Sequence, residues 1–216
     1  MKTQNQALIP VTKRPINAET PHAVLLNELT PTELFYVRNH FDVPQASREG
    51  WVLEVDGAVG QPLRLSLEEI KALPVKELLV ALECAGNGRS SLQPPASGTP
   101  WDLGAVSQAR FSGTSLSNLL GQLEIAENAL EVLFTGADQG QVRTGQNVPY
   151  ARSLPLQVAL HPDTLLVWQM NGSELTPRHG YPLRLVVPGW YGMASVKWLR
   201  HISLLSEPFE GFFQRE

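Results

Sequence analysis

An α+β domain, rich in mixed strands and carrying few short helices, is the fold class this sequence predicts. Three observations lead there. Seventeen prolines and seventeen glycines in 216 residues punctuate the chain too often for a helical bundle. Short apolar runs of strand type and length, such as WVLEVDGAV and ALEVLFT, recur along it. These runs do not alternate with helices in a regular series, so a parallel βαβ sheet is not expected.

The elements follow in order. Residues 1–34 read as an extended, Pro-punctuated arm, and residues 35–216 as one domain. In WVLEVDGAV, Trp51, Leu53 and Val55 alternate with polar neighbours, which marks a half-buried strand. LRLS follows a Gln61-Pro62 turn, and Ser66 with Glu69 forms a capping box for a short helix that ends before Pro74. KELLVALE reads as a mostly buried strand running into Cys84. TSLSNLLGQL gives a second short helix with Leu116, Leu119, Leu120 and Leu123 on one side. ALEVLFT is a strand entering the turn GADQG, and TLLVWQM a strand entering the hairpin turn Asn171-Gly172. LRLVVP and ASVKWLRHISLL are two further strands on either side of the Gly-rich PGWYG.

Composition excludes several classes of function. With 43% hydrophobic and 18% charged residues the chain is globular, not disordered. A net charge of −4 argues against a nucleic-acid or membrane-surface partner. A single cysteine makes no internal disulfide and no Cys-rich zinc or iron–sulfur site. No run approaches the roughly 18 apolar residues of a bilayer span, so no membrane insertion is expected. The first twenty residues show no apolar signal core and no twin arginine, which predicts a cytoplasmic protein or a mature periplasmic form. Lys2, Lys13, Lys71 and Lys76 precede the cysteine and only Lys197 follows it, against eight arginines after it. Arginine suits oxyanions and phosphates, although codon usage accounts for such a bias equally well.

Taken singly, the candidate site residues leave alternatives open. Cys84 is a small buried hydrophobe on one reading. On the other it is a thiolate favoured by turn amides and Arg89, at a strand end where functional groups gather. That thiolate would serve as a nucleophile or a soft-metal ligand. The histidines have no metal spacing. His40, in the polar break Arg38-Asn39-His40, reads equally as an exposed turn. His179 and Arg184 flank GYPL in what is also a plausible loop, Lys197 fits the polar face of a strand, and Asp138 fits a plain turn aspartate. Gly86-Asn87-Gly88 lacks the dinucleotide or P-loop pattern.

Their order is more specific than any one of them. The series YVRNHFDVP, ECAGNGR, PWDLGAVSQARF, FTGAD and HGYPLRLVVPGWYGMASVKWL resembles the molybdenum-cofactor domain of the sulfite oxidase family, from Phe35 to the C-terminus. The resemblance implies the strand-rich molybdopterin-binding fold of that family, with Cys84 as the ligand to molybdenum. It implies that Tyr36, Val37, Arg38, Asn39 and His40 line the cofactor, with Arg38 also facing the substrate. It further implies that Asp138, His179 and Arg184 bind the pterin or its phosphate, that Ser195, Val196 and Lys197 close over it, and that Arg89 and Trp101 surround the anion pocket. The implied activity is oxidation of sulfite to sulfate by oxygen-atom transfer, with electrons passed to an external acceptor such as a cytochrome.

The resemblance has limits. The family's active-site tyrosine is expected beyond FFQRE, and Tyr150, Tyr181 and Tyr191 stand at other motif positions. The C-terminal dimerisation domain is likewise not in this sequence. A shortened form of a longer protein is expected, ahead of a minimal variant. A sulfoxide reductase of the same family, acting for example on methionine sulfoxide, and a non-catalytic cofactor-binding remnant are the alternatives. Arg38, suited to a small charged oxyanion, favours sulfite oxidation over both.

Overall fold

The computed structural model describes residues 7–45 and 47–215. Residues 1–6, Ala46 and Glu216, and with them the start of the expected arm and the last residue of the expected domain, lie outside the described residues.

The arm is more structured than its prolines suggest. β1 (Ile9–Lys13) and β2 (Ile16–Glu19) form an antiparallel hairpin, and its inner residues are buried in the body of the protein. Asn17 Oδ1 accepts the Asn39 backbone N–H at 2.7 Å, and Asn39 Nδ2 donates to Ile16 O at 3.0 Å. Thr20 Oγ1 donates to Leu34 O at 2.8 Å. Because buried polar groups need partners, these bonds fix the Arg38–His40 segment against the hairpin.

The next elements follow the sequence pattern. β3 (Val52–Gly57) buries Leu53 and Val55 and pairs with β4 (Leu63–Ser66). α1 (Leu67–Lys71) opens on the expected capping box: Ser66 Oγ accepts the Glu69 N–H and Glu69 Oε2 accepts the Ser66 N–H. Such a cap contributes about 1 kcal/mol. β5 (Val75–Glu83) is not the mostly buried strand its apolar run suggested. It lies at a sheet edge, burying only Val80 and Leu82 while Val75 and Leu79 face solvent.

The remaining strands join β3, β4 and β5 to complete two five-stranded sheets. The remaining elements are β6 (Val106–Ser115), α2 (Leu116–Leu120), β7 (Glu131–Gln141), β8 (Asn147–Pro155), α3 (Leu156–Ala159), β9 (Leu165–Met170), β10 (Ser173–Glu174), β11 (Arg184–Val186), β12 (Leu199–Leu205) and α4 (Phe212–Arg215). One sheet has the order β4-β3-β12-β7-β8, with β12 parallel to β3 and every other pair antiparallel. The other runs β10-β9-β6-β5, with β11 also on β9. Mixed, predominantly antiparallel pairing with short helices is the α+β class the sequence predicts.

Two further expectations need correction. GADQG is not a turn, because β7 runs through it. Its register with β8 shifts between Thr135↔Ala151 and Gln139↔Pro149, which sets Gly136, Ala137 and Asp138 opposite Tyr150 alone. A bulge of this kind re-aims side chains, and here it serves Asp138. The strand expected from Ala194 starts only at Leu199, since Trp198 takes a left-handed φ of 51° and turns the chain just before it.

The core has two parts. One gathers Leu53, Val55, Phe134, Leu199 and Ile202 with the leucines of α2. The other gathers Phe35, Leu82, Trp101, Phe111 and Val167, and its upper edge is the floor of the site.

Candidate active site

A cavity of ≈ 480 Å³ opens beside the second core and is lined by Tyr36, Arg38, Asn39, His40, Cys84, Arg89, Trp101, Asp138, His179, Arg184, Ser195 and Lys197. All the residues expected in the site meet there except Val37 and Val196. Val37 is buried, paired through its backbone with Ala18, and Val196 is buried in the first core cluster. Both hold their neighbours in place and do not reach the cavity.

Cys84 sits where β5 ends. Its N–H donates to Ala105 O at 2.9 Å, Asn87 Oδ1 accepts the Ala105 N–H at 3.0 Å, and the Gly86 N–H points at Sγ from 3.4 Å. The turn therefore presents the sulfur to the cavity with a backbone donor beside it, a setting for a thiolate ligand. Both glycines pack against the guanidinium: a Cβ at Gly86 would lie 2.9 Å from Arg89 Cζ, and one at Gly98, whose φ is +108°, would lie 2.5 Å from Arg89 Nη1. These two backbones make the slot that holds the guanidinium. Trp101 is fully buried, and its Nε1 has no partner.

On the opposite wall, Arg38 Nη1 donates to Asn39 O and Nη2 lies 3.5 Å from His40 Nδ1. His40 meets Phe41 and Phe213 edge-on, with centroids 4.9 and 4.5 Å away. Burial, helped by the charge of Arg38, lowers the His40 pKa to about 4, so the ring is neutral at physiological pH.

The inner end carries a set of enclosed ionisable groups. Arg184 Nη1 donates to His179 O at 3.1 Å and Nη2 to Ser195 O at 3.3 Å; burial brings its pKa down to about 10. Desolvation, with Lys197 and Arg184 nearby, lowers His179 to about 3, so its Nε2–H donates to Thr32 O at 3.1 Å. Ser195 Oγ accepts the Val187 N–H. Lys197 Nζ donates to Asn39 Oδ1 and to Arg178 O. Burial and repulsion from Arg184 and Arg38 hold its pKa well below the usual lysine range, while Asp138 pulls the other way. Asp138 is raised to about 6 by desolvation, against the pull of Lys197, and its Oδ1 has no partner.

Sequence reasoning missed Arg143, Tyr150, Met193, Phe212 and Phe213, which also line the cavity. Tyr150 donates its hydroxyl to Met193 O at 2.8 Å and packs 4.7 Å from the Phe213 ring. Long-range topology brings these residues in, and only the aromatic pair Phe212-Phe213 is a visible sequence signal. Tyr181 instead lines a separate hollow with Trp51 and Arg200, and Tyr191 is exposed.

These surroundings gather one thiol and several fixed cations around a single cavity, the chemistry that a large anionic cofactor would need. The sequence profile of the family described as "oxidoreductase molybdopterin binding domain" matches residues 40–213, and the chain belongs to that family. Its cofactor is the molybdenum–molybdopterin. Among relatives, a sulfite oxidase of Gallus gallus is 42% identical over 89% of this chain and 43% of its own length. A nitrate reductase [NADH] of Petunia hybrida is 35% identical over 97% of this chain and 24% of its own. The structure superposes on the sulfane dehydrogenase SoxCD of Paracoccus pantotrophus with a TM-score of 0.80 and 26% identity, covering 98% of this chain and 51% of that one. The chain thus spans less than half the length of the sulfite oxidase it matches at 42% identity.

The residues present fit that cofactor. The cavity offers a half-buried thiol at Cys84 and unsatisfied polar atoms at Trp101 Nε1 and Asp138 Oδ1. Buried polar atoms left unpaired by the protein mark places where a ligand supplies the missing partner. Among the described residues no group of three or more His, Cys, Asp or Glu could hold a metal, and Cys84 is the thiol among the residues that line the cavity. No helix of the described residues is long and apolar enough to cross a membrane.

Proposed function

We propose that this chain is the molybdopterin-binding part of an enzyme that oxidises sulfite to sulfate and passes two electrons to an external acceptor such as a cytochrome. One observation carries the reading: Arg38 and Arg89 line the same cavity as Cys84, so two guanidiniums stand in the cavity that holds the metal's thiolate. Guanidinium forks bind small oxyanions through charge-assisted hydrogen bonds, and a neutral sulfoxide makes no comparable demand. When bound, the molybdenum cofactor supplies oxygen-atom transfer and accepts the two electrons.

The chain's own residues divide the remaining work. Cys84 holds the metal, with the Gly86 N–H beside its sulfur. Arg184, His179, Lys197, Asp138, Asn39 and Ser195 hold the pterin and its phosphate at the inner end. Tyr36, Arg38 and His40 position the cofactor's outer part. Arg38 and Arg89 bind and orient the sulfite oxyanion, with Trp101 excluding water and offering its Nε1–H. Fixed donors of this kind need no reorganisation when charge moves.

The test is molybdenum content of the purified chain from molybdate-fed cells beside a Cys84→Ser variant, followed by sulfite turnover with an artificial acceptor. Near-stoichiometric metal in the wild type, its loss in the variant, and sulfite-dependent reduction of the acceptor are expected. A loaded protein that reduces methionine sulfoxide with reduced viologen and leaves sulfite untouched would transfer the assignment to a sulfoxide reductase. A loaded protein inert to both would make it a cofactor carrier.

A further inference from the structure

Residues 101–105 form a bridge between the Cys84 turn and the N-terminal hairpin. Toward the turn, the Gly88 N–H donates to Asp102 O at 2.6 Å, the Ser90 N–H to Trp101 O at 2.9 Å, and the Cys84 N–H to Ala105 O at 2.9 Å. Just ahead of the bridge, Thr99 O accepts Arg89 Nη1 at 3.4 Å. Toward the hairpin, the Thr20 N–H donates to Gly104 O at 2.9 Å, and Glu19 Oε1 accepts the Asp102 N–H at 2.5 Å. Cys84, Arg89 and Trp101, which meet in the cavity, are therefore all tied to one short stretch of backbone. That stretch is anchored in turn on β2.

Glu19 makes this anchor in an unusual way. The residue is only 3% exposed, and a carboxylate taken out of water is costly unless it is hydrogen-bonded. An ionised acceptor, however, makes a shorter and stronger bond than a neutral one. The hairpin also presses directly on the bridge: a Cβ at Gly104 would lie 2.5 Å from Thr20 O and 2.7 Å from Glu19 Cβ. The N–H that Glu19 holds belongs to the residue beside Trp101, whose fully buried ring walls the cavity and whose Nε1 has no partner in the protein. A donor aimed at a substrate works only while its backbone stays in place.

We propose that Glu19 is a positioning residue: from the N-terminal hairpin its buried carboxylate fixes residues 101–105, and through them sets Trp101 and Arg89 in register with Cys84 for a small oxyanion. The proposal rests on the sulfite reading for the roles of Trp101 and Arg89, and adds a group that does not itself line the cavity.

The experiment compares wild-type, Glu19→Gln, Glu19→Asp and Glu19→Ala holoenzymes by calorimetric titration with sulfate and by steady-state sulfite oxidation, each normalised to molybdenum content, with urea unfolding alongside. Glutamine keeps an acceptor oxygen at the same reach, aspartate keeps the charge one methylene short, and alanine keeps neither. The sulfate Kd and sulfite KM should rise about five- to tenfold in Glu19→Ala and Glu19→Asp, the size of effect that a displacement below about 1 Å produces. Glu19→Gln should stay within about twofold of wild type. Should Glu19→Ala not fold, the aspartate and glutamine variants decide the matter between them. A lower urea midpoint with unchanged Kd and KM would overturn the proposal and assign Glu19 to the fold alone. Tighter sulfate binding in Glu19→Gln and Glu19→Ala alike would overturn it in favour of a simple charge effect. A wild type that binds sulfate but turns over no sulfite defeats the functional reading alone, and the titration still decides the role of Glu19. A wild type that binds no sulfate removes the oxyanion pocket and this proposal with it.

Discussion

Gly136 and Asp138 lie so close that a Cβ on the glycine would stand 2.5 Å from Asp138 Oδ1 and 2.8 Å from the Lys197 carbonyl oxygen. The bulge in β7 creates this contact. It brings the buried carboxylate and the Lys197 backbone to one corner of the cavity, and only a residue without a side chain leaves room for both.

Gly136→Ala should therefore damage the site before it damages the fold. The carboxylate must rotate, and the backbone before β12 must shift. A loss of about 1–3 kcal/mol, typical of overpacking, should appear in urea unfolding, together with molybdenum content well below wild type. Full loading in this variant would show that the corner yields easily.

Arg184 is the buried cation whose removal should cost most. Arg184→Gln leaves the carbonyls of His179 and Ser195 without their donors, and unsatisfied buried acceptors cost about 1–3 kcal/mol each. The cofactor-free protein should show a lower urea midpoint at unchanged slope. A midpoint equal to wild type would mean that water replaces the guanidinium.

His179 predicts a pH dependence with a definite sign. Its folded pKa is about 3, below the ordinary 6.5, so its contribution is complete above pH 6.5 and is lost as pH falls toward 3. Asp138 acts in the opposite sense. Its folded pKa of about 6 lies above 3.8, so its contribution is complete below pH 3.8 and is lost as pH rises through 6. His179→Asn should flatten the acid-side loss of stability by up to about 1.4 kcal/mol per pH unit. Asp138→Asn should steepen it. Parallel curves for wild type and both variants would contradict these burial arguments.

Arg38→Gln separates substrate binding from cofactor binding. Losing a charge-assisted contact costs about 1.5–3 kcal/mol, so the sulfite KM should rise roughly tenfold or more while molybdenum content stays near wild type. An unchanged KM would remove Arg38 from the substrate site.

The site was legible in the sequence where the chemistry is local and obscured where it depends on pairing. The Cys84 turn, the Ser66–Glu69 cap and the Asn171-Gly172 hairpin are written in adjacent residues. Asp138 was misread as a turn residue because its bulge exists only against β8, whose polar residues and Pro149 conceal a strand. KELLVALE looked buried because apolar runs usually are, but neighbours decide that, and β5 has one on a single side. Arg143 and Tyr150 stand in the cavity only because β7 and β8 fold back together.

β12 carries a further consequence for how the protein is assembled. It lies between β3 and β7, parallel to a strand formed some 150 residues earlier in synthesis. The stretch just before it supplies Ser195 and Lys197 to the cavity. Until β12 is threaded into the middle of its sheet, the cavity lacks one wall and the sheet stands divided into the β3–β4 and β7–β8 pairs. Such long-range closure is slow compared with local structure. Cofactor binding that uses Ser195 and Lys197 is therefore expected to depend on this docking, and a cofactor-free chain with β12 undocked is a species that a cell would have to protect.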